Sequence, residues 1–228
     1  MSEWWTYGLS DFLLFSPRTY VRLIELYNLS IWPAQLAAVA AGVVILVLQL
    51  RAVRLAGLGL LGLCWLWIAW AWFGQRYATI NWAASYAGLA FAAEGALLLA
   101  AAFLSRERSS EPWLVGTGIV LTLAGLFALP LLELLSGERG WKQVAIFGIM
   151  PDPTAIVTLG VLVPLGGRIA RIALVVPLLW CMVAGATLLA MDGPGAWAAP
   201  LAGVVGIIAI VAHLWSTRRR GFIARPPT

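Results

Sequence analysis

An all-α integral membrane bundle of about seven transmembrane helices is predicted by three features: the composition, the recurrence of long apolar runs, and one run broken by Pro151-Asp152-Pro153-Thr154. Hydrophobic residues make up 62% of the 228-residue chain and charged residues 11%, with a mean hydropathy of +0.91, far from a soluble domain. A spanning helix needs roughly 20 apolar residues. Runs of that kind fill nearly the whole chain and leave little for a soluble domain. Six spans plus a re-entrant segment is the alternative.

Ser16-Pro17 pairs a capping residue with a proline suited to the first helical position. Tyr20, Leu23, Ile24 and Tyr27 then share one face, with Arg18, Arg22 and Glu25 on the other side. Residues 1–30 are therefore expected to form an N-terminal interfacial segment, with Trp4, Trp5 and Phe12 as further anchors. It would serve as a surface anchor or as a lid over an outer vestibule. Met1-Ser2-Glu3-Trp4-Trp5 lacks a basic n-region and a cleavage site, so the first span is expected to stay in the mature protein.

Hydropathy places spans at Ile31–Leu50, Leu55–Phe73, Trp82–Leu104, Trp113–Leu135, the broken Val144–Gly166, Ile169–Met191 and Ala196–Trp215. Residues 31–217 then form the bundle and 218–228 a short basic tail. With seven crossings, ten of the 15 basic residues lie on one side: Arg51, Arg54, Arg106, Arg108, Arg168, Arg171, Arg218, Arg219, Arg220 and Arg225. Arg18, Arg22, Arg76, Arg139 and Lys142 lie on the other. That split predicts an extracytoplasmic N-terminus and a cytoplasmic C-terminus. It also accounts for the net charge of +5 and the pI near 9.8 through orientation and anionic headgroups, with no nucleic acid involved.

The break is the best functional pointer in the chain. Prolines remove backbone donors and restrict the residues before them, and a break at membrane depth is tolerated only where protein or a water-filled cavity satisfies the freed groups. Asp152 adds a costly charge there. It is expected either to cap the half-helix that follows or to form a polar site. Thr154 and Thr158 share a face of that half, where their hydroxyls add polar contacts or bond back to the helix.

Three further charges join the candidate polar or transport site formed by Asp152 and Thr154. Glu94 sits halfway along the third span among Ala83, Ala87, Ala90 and Ala101, and should point into the bundle as a neutral structural group or a proton carrier. Glu133 lies near the outer end of the fourth span, ahead of Glu138, Arg139 and Lys142, whose loop charges are expected to pair locally. Arg76 closes the set, in a shared outer vestibule with Glu133 and Asp152. Beside it Trp65, Trp67, Trp70 and Trp72 crowd the second span, as an aromatic belt or an interior lining. Trp65 and Trp72, seven apart, share a face, whereas Trp67 and Trp70 point elsewhere.

His213 is the chain's single histidine and Cys64 and Cys181 are widely separated within apolar helices. Neither a multi-histidine metal centre nor a cysteine cage can be assembled from them, so no metal and no cofactor are expected. No GxSxG elbow, P-loop or GxGxxG fingerprint occurs, which disfavours an enzyme while leaving carboxylate chemistry open.

Several segments act as an ensemble: Glu3-Trp4-Trp5-Thr6-Tyr7, Ser10-Asp11-Phe12-Leu13-Leu14-Phe15-Ser16-Pro17-Arg18, Gln75-Arg76-Tyr77-Ala78-Thr79-Ile80-Asn81-Trp82 and Phe147-Gly148-Ile149-Met150-Pro151-Asp152-Pro153-Thr154. With these motifs the chain resembles a family of small bacterial multi-spanning membrane proteins of unknown function. The resemblance runs over nearly its whole length and implies a bacterial inner-membrane location. It brings no activity or catalytic residues. From the residues themselves, the leading expectation is a small-solute or ion permease or channel using the broken helix. An accessory or structural subunit binding lipid, quinone or a partner membrane protein is the alternative. Membrane lipids, a small solute or ion, and a membrane-protein partner are the partners these readings imply.

Overall fold

The computed structural model describes residues 13–105 and 111–223, with side chains through residue 217, and the expected anchors Trp4, Trp5 and Phe12 lie outside that range. Among the described residues the regular secondary structure is all helical, with no strand. Five helical stretches among the described residues are long and apolar enough to cross a membrane: Arg54–Thr79, Ala84–Leu104, Pro112–Leu135, Arg168–Ala190 and Ala198–Thr217. A sixth is reached if α1 (Pro17–Ser30) and α2 (Ala34–Leu50), bent by 90° to each other, count as one.

Ser16 caps α1, its hydroxyl accepting from the Thr19 amide at 3.2 Å, and Pro17 takes the first helical position. Tyr20, Ile24 and Tyr27 are buried while Arg18 and Arg22 are exposed. The helix is tied down at its far side by Gln143, whose Nε2 donates to Glu25 at 3.2 Å. That amide, and then Arg22, hold the Glu25 carboxyl below its ordinary value.

α3 (Arg54–Trp67) widens into a π-helical segment over Ile68–Gly74, and α4 (Ala84–Leu104) packs back along it. α5 (Pro112–Leu123) also passes through a π-helical segment, Ala124–Ala128, before α6 (Leu129–Leu135). Segments of this kind are uncommon and collect near functional positions. The last three helices are α8 (Arg168–Ala173), α9 (Val175–Ala190) and α10 (Ala198–Ile223), the last running on past residue 217 into the segment expected as a tail.

The broken fifth segment departs from expectation. Only one helix forms there, α7 (Pro151–Leu162), and residues 144–150 are turn and irregular backbone rather than a first half-helix. α7 has 12 residues, all buried, and is sheathed by α3, α5, α9, α10 and the Ala124–Ala128 segment. At 1.5 Å per residue it is about 18 Å long, too short to span a bilayer alone. Residues 144–165 nevertheless pass along the full length of the Pro112–Leu135 stretch in the opposite direction. Ala145 meets Glu133, Pro153 lies against Gly125, Gly160 against Gly118, and Leu162–Leu165 share a cavity wall with Leu114.

Protein groups satisfy this buried backbone. Asn28 Nδ2 donates to the carbonyls of Lys142 (2.9 Å) and Val144 (3.1 Å), and the Tyr27 hydroxyl donates to that of Ile149 at 3.3 Å. The Ala145 amide donates to Glu133 Oε2 at 2.7 Å, and the Gly148 amide to Thr154 Oγ1 at 2.8 Å. At the other end, Gly160 would normally accept from residue 164, but Pro164 has no N–H. Gln49 Nε2 takes its place at 2.8 Å, and Thr122 donates to Gln49 Oε1 at 2.9 Å. Gln49→Leu should therefore lower stability by about 1–3 kcal/mol, the cost of leaving a buried carbonyl and hydroxyl unpaired. Thermal unfolding of the detergent-purified protein reads this directly, and a midpoint equal to wild type would contradict it.

Candidate functional site

Asp152 is the only ionisable side chain on α7, and the structure corrects its expected capping role. The N-cap is Met150, Pro151 holds the first helical position, and Asp152 lies inside the first turn. Its carboxylate turns outward to α9, where Trp180 Nε1 donates to Oδ1 at 2.8 Å. No other hydrogen bond reaches the carboxylate among the described residues. Asp152 lines a cavity of about 140 Å³ together with Tyr20, Tyr77, Asn81, Trp180 and Thr187.

α1 roofs this cavity with Tyr20, and the first turn of α4 and the last turns of α9 wall it. Behind the wall an aromatic network runs across the bundle. Tyr20 and Tyr77 meet edge to face with centroids 5.7 Å apart, Trp72 stacks on Tyr77 at 5.7 Å, and Trp180 packs edge-on against Phe73 and Phe91 at 5.2 and 5.0 Å. The π-helical segment of α3 supplies Trp72 and Phe73, which are fully buried.

Next to the cavity lies a buried ion pair. Arg139 Nη1 donates to Glu133 Oε1 at 2.7 Å, with the two side chains only 4% and 2% exposed. Glu133 spends its second oxygen on the Ala145 amide, so one carboxylate fixes both the loop arginine and the entry to the irregular segment. Asp152 lies within electrostatic range of both members of the pair.

The remaining candidates scatter. Thr154 is buried but faces the turn, accepting from Gly148 and donating to the Met150 carbonyl at 2.7 Å, and Thr158 donates back to the Thr154 carbonyl while accepting from Trp65 Nε1 at 2.8 Å. Arg76 does not join Asp152 and Glu133. It is half-exposed and donates to Ser30 Oγ at 3.1 Å, because the turn after Gly74 directs it to the end of α1. Arg139 occupies the place expected for it. Glu94 is buried, with Oε1 lacking a hydrogen-bond partner, and it does not line the Asp152 cavity.

The tryptophans divide by face: Trp65 and Trp72 are fully buried, while Trp67 and Trp70 are 37% and 60% exposed. His213 is half-buried on α10 near Arg171, and Cys64 and Cys181 are free thiols. Among the described residues no group of three or more His, Cys, Asp or Glu gathers at one place. Tyr77 and Trp180 were not singled out from the sequence, and Arg139 was expected only to pair locally as a loop charge, which it does with Glu133, but buried. Arg139 sits six residues after Glu133, a separation that gives no helical contact, and Trp180 reads as one apolar residue within a span.

The site belongs to a helical protein whose helices are long and apolar enough to cross a membrane and wrap a short buried helix whose single carboxylate meets a cavity. A family model matches residues 18–221, and the chain belongs to that family, the family of unknown function DUF6064. Comparison with curated proteins and with solved structures gave no match.

Proposed function

We propose that this chain is a bacterial inner-membrane protein that takes up a small solute or ion at Asp152 from the extracytoplasmic side, as a small permease or channel. In this reading it crosses the membrane seven times, with residues 144–165 as the fifth crossing. Its N-terminus is extracytoplasmic and its C-terminus cytoplasmic, as the distribution of basic residues favours. The observation that carries the reading is the position of Asp152: the one charge on an otherwise fully buried helix opens onto a cavity instead of packing against a cation. Interrupted helices place ligand sites in this way in transporters. Arg139 and Glu133 support the site from behind, and Glu94, deeper in the bundle with an unpartnered oxygen, is the group suited to carry a proton.

Flux screens in proteoliposomes test this. Saturable uptake of one solute class is expected, with Asp152→Asn lowering it at least tenfold and Glu94→Gln abolishing any dependence on a proton gradient. Absence of flux, or a leak indifferent to solute, would overturn it.

A second reading, an accessory or structural subunit that binds lipid, quinone or a partner membrane protein, is favoured by one feature. A cavity of about 330 Å³ lies among Leu29, Trp32, Trp141 and Ile146, with Lys142 at its side and both indoles largely exposed. Stable co-purification of a partner without flux would favour it.

A further inference from the structure

The cavity at Asp152 has a composition that selects its guest. One wall is a carboxylate with Oδ1 engaged by Trp180 and no described donor at Oδ2. Most of the rest is ring and methyl surface from Tyr20, Tyr77, Trp180 and the alanines of α4. The nearby guanidinium of Arg139 is hydrogen-bonded to Glu133, so no protein cation is hydrogen-bonded to Asp152. A positive guest would supply one. A calcium ion, which takes six to eight oxygens, is poorly served by one carboxylate beside Asn81, Thr187 and two phenols. Aromatic rings beside a carboxylate suit an alkylated nitrogen cation, which gains from the ring quadrupoles and loses little hydration.

Resting on the reading of Asp152 as a solute site, we propose that the cavity binds a small organic ammonium, with the Asp152 carboxylate as counter-charge and the rings of Tyr20, Tyr77 and Trp180 as its cage. The volume of about 140 Å³ fits this class. A protein cavity of roughly 150 Å³ takes a guest the size of benzene, which matches a tetramethylammonium or choline head and excludes an acyl chain. The rim is formed by exposed Ala83 on one side and exposed Val183 on the other, so the opening lies sideways between α4 and α9. A free ammonium solute and the headgroup of a lipid share the chemistry that this opening admits.

Binding is measured by calorimetry on the full chain, purified in a maltoside detergent and titrated with tetramethylammonium chloride. Saturable binding is expected, insensitive to sodium chloride at matched ionic strength, and at least tenfold weaker in Asp152→Asn. Ala83→Trp, a substitution at an exposed rim position, should abolish it while leaving the carboxylate intact, so the result does not hang on the folding of one variant. Repetition in nanodiscs separates the sources. At high ionic strength, where the anionic surface no longer concentrates the cation, weaker apparent affinity in phosphatidylcholine or phosphatidylethanolamine than in phosphatidylglycerol identifies a lipid headgroup as the natural guest, and equal affinity identifies a free solute. Failure to saturate, displacement by sodium, or full affinity in Asp152→Asn overturns the ammonium site. Binding without flux would instead sink the permease reading alone, and Asp152-dependent flux of a neutral or anionic solute would sink the ammonium site alone.

Discussion

Arg139→Met is expected to destabilise the protein by about 3–5 kcal/mol, the cost of leaving a buried carboxylate without its cation. Glu133 is 2% exposed at its side chain and holds the Ala145 amide as well as the guanidinium, so losing Arg139 disturbs the entry to α7 and not only a loop. Asp152 stands in the same field and loses its nearest buried positive charge. The double variant Arg139→Met with Glu133→Gln should recover much of the loss, because a neutral amide can still accept from Ala145 without a charge to compensate. Thermal unfolding of wild type, both single variants and the double variant forms a closed cycle. Equal midpoints for wild type and Arg139→Met would show that the pair contributes nothing.

Gly160→Val is expected to be more damaging, to the point of preventing accumulation of folded protein. A Cβ at residue 160 would stand 2.6 Å from the Gly118 carbonyl oxygen and 2.7 Å from the Thr122 amide nitrogen. Both contacts are backbone and cannot rotate away. Overpacking of a tight core costs about 1–3 kcal/mol even where side chains can adjust. Here α5 and α7 must separate, which also pulls Gln49 off the Gly160 carbonyl. Gly116→Val on the facing helix α5 is the control, since a Cβ there meets nothing within 4 Å. Similar yields of the two variants on size-exclusion chromatography would contradict the close approach.

Much of this architecture was legible in the chain. The Ser16-Pro17 start of α1, the burial of Tyr20, Ile24 and Tyr27, and the apolar stretches from Arg54 to Thr217 follow from local capping and hydropathy. The different faces of Trp65 and Trp72 against Trp67 and Trp70 follow from helical spacing. What stayed hidden depends on contacts distant in sequence. Asp152 looked like a cap because an aspartate beside prolines usually signals one, yet the helix is capped two residues earlier, at Met150, and this frees Asp152 for Trp180, 28 residues on. Arg76 and Arg139 were alike as loop cations, and only the fold of residues 136–150 decides which is buried. The irregular 144–150 stretch was hidden because apolar side chains there suggest a helix, while Asn28, Tyr27 and Glu133 make a non-helical backbone tolerable.

Side chains that satisfy the backbone of residues 142–150 sit on α1 and α6, both earlier in the chain. α9 and α10, which complete the sheath of α7, come later. A 12-residue segment is too short to be held across a bilayer as an independent helix. The burial of α7 is thus shared between helices that precede it and helices that follow it in the chain, and a chain stopped before α9 would lack the α9 and α10 faces of its sheath.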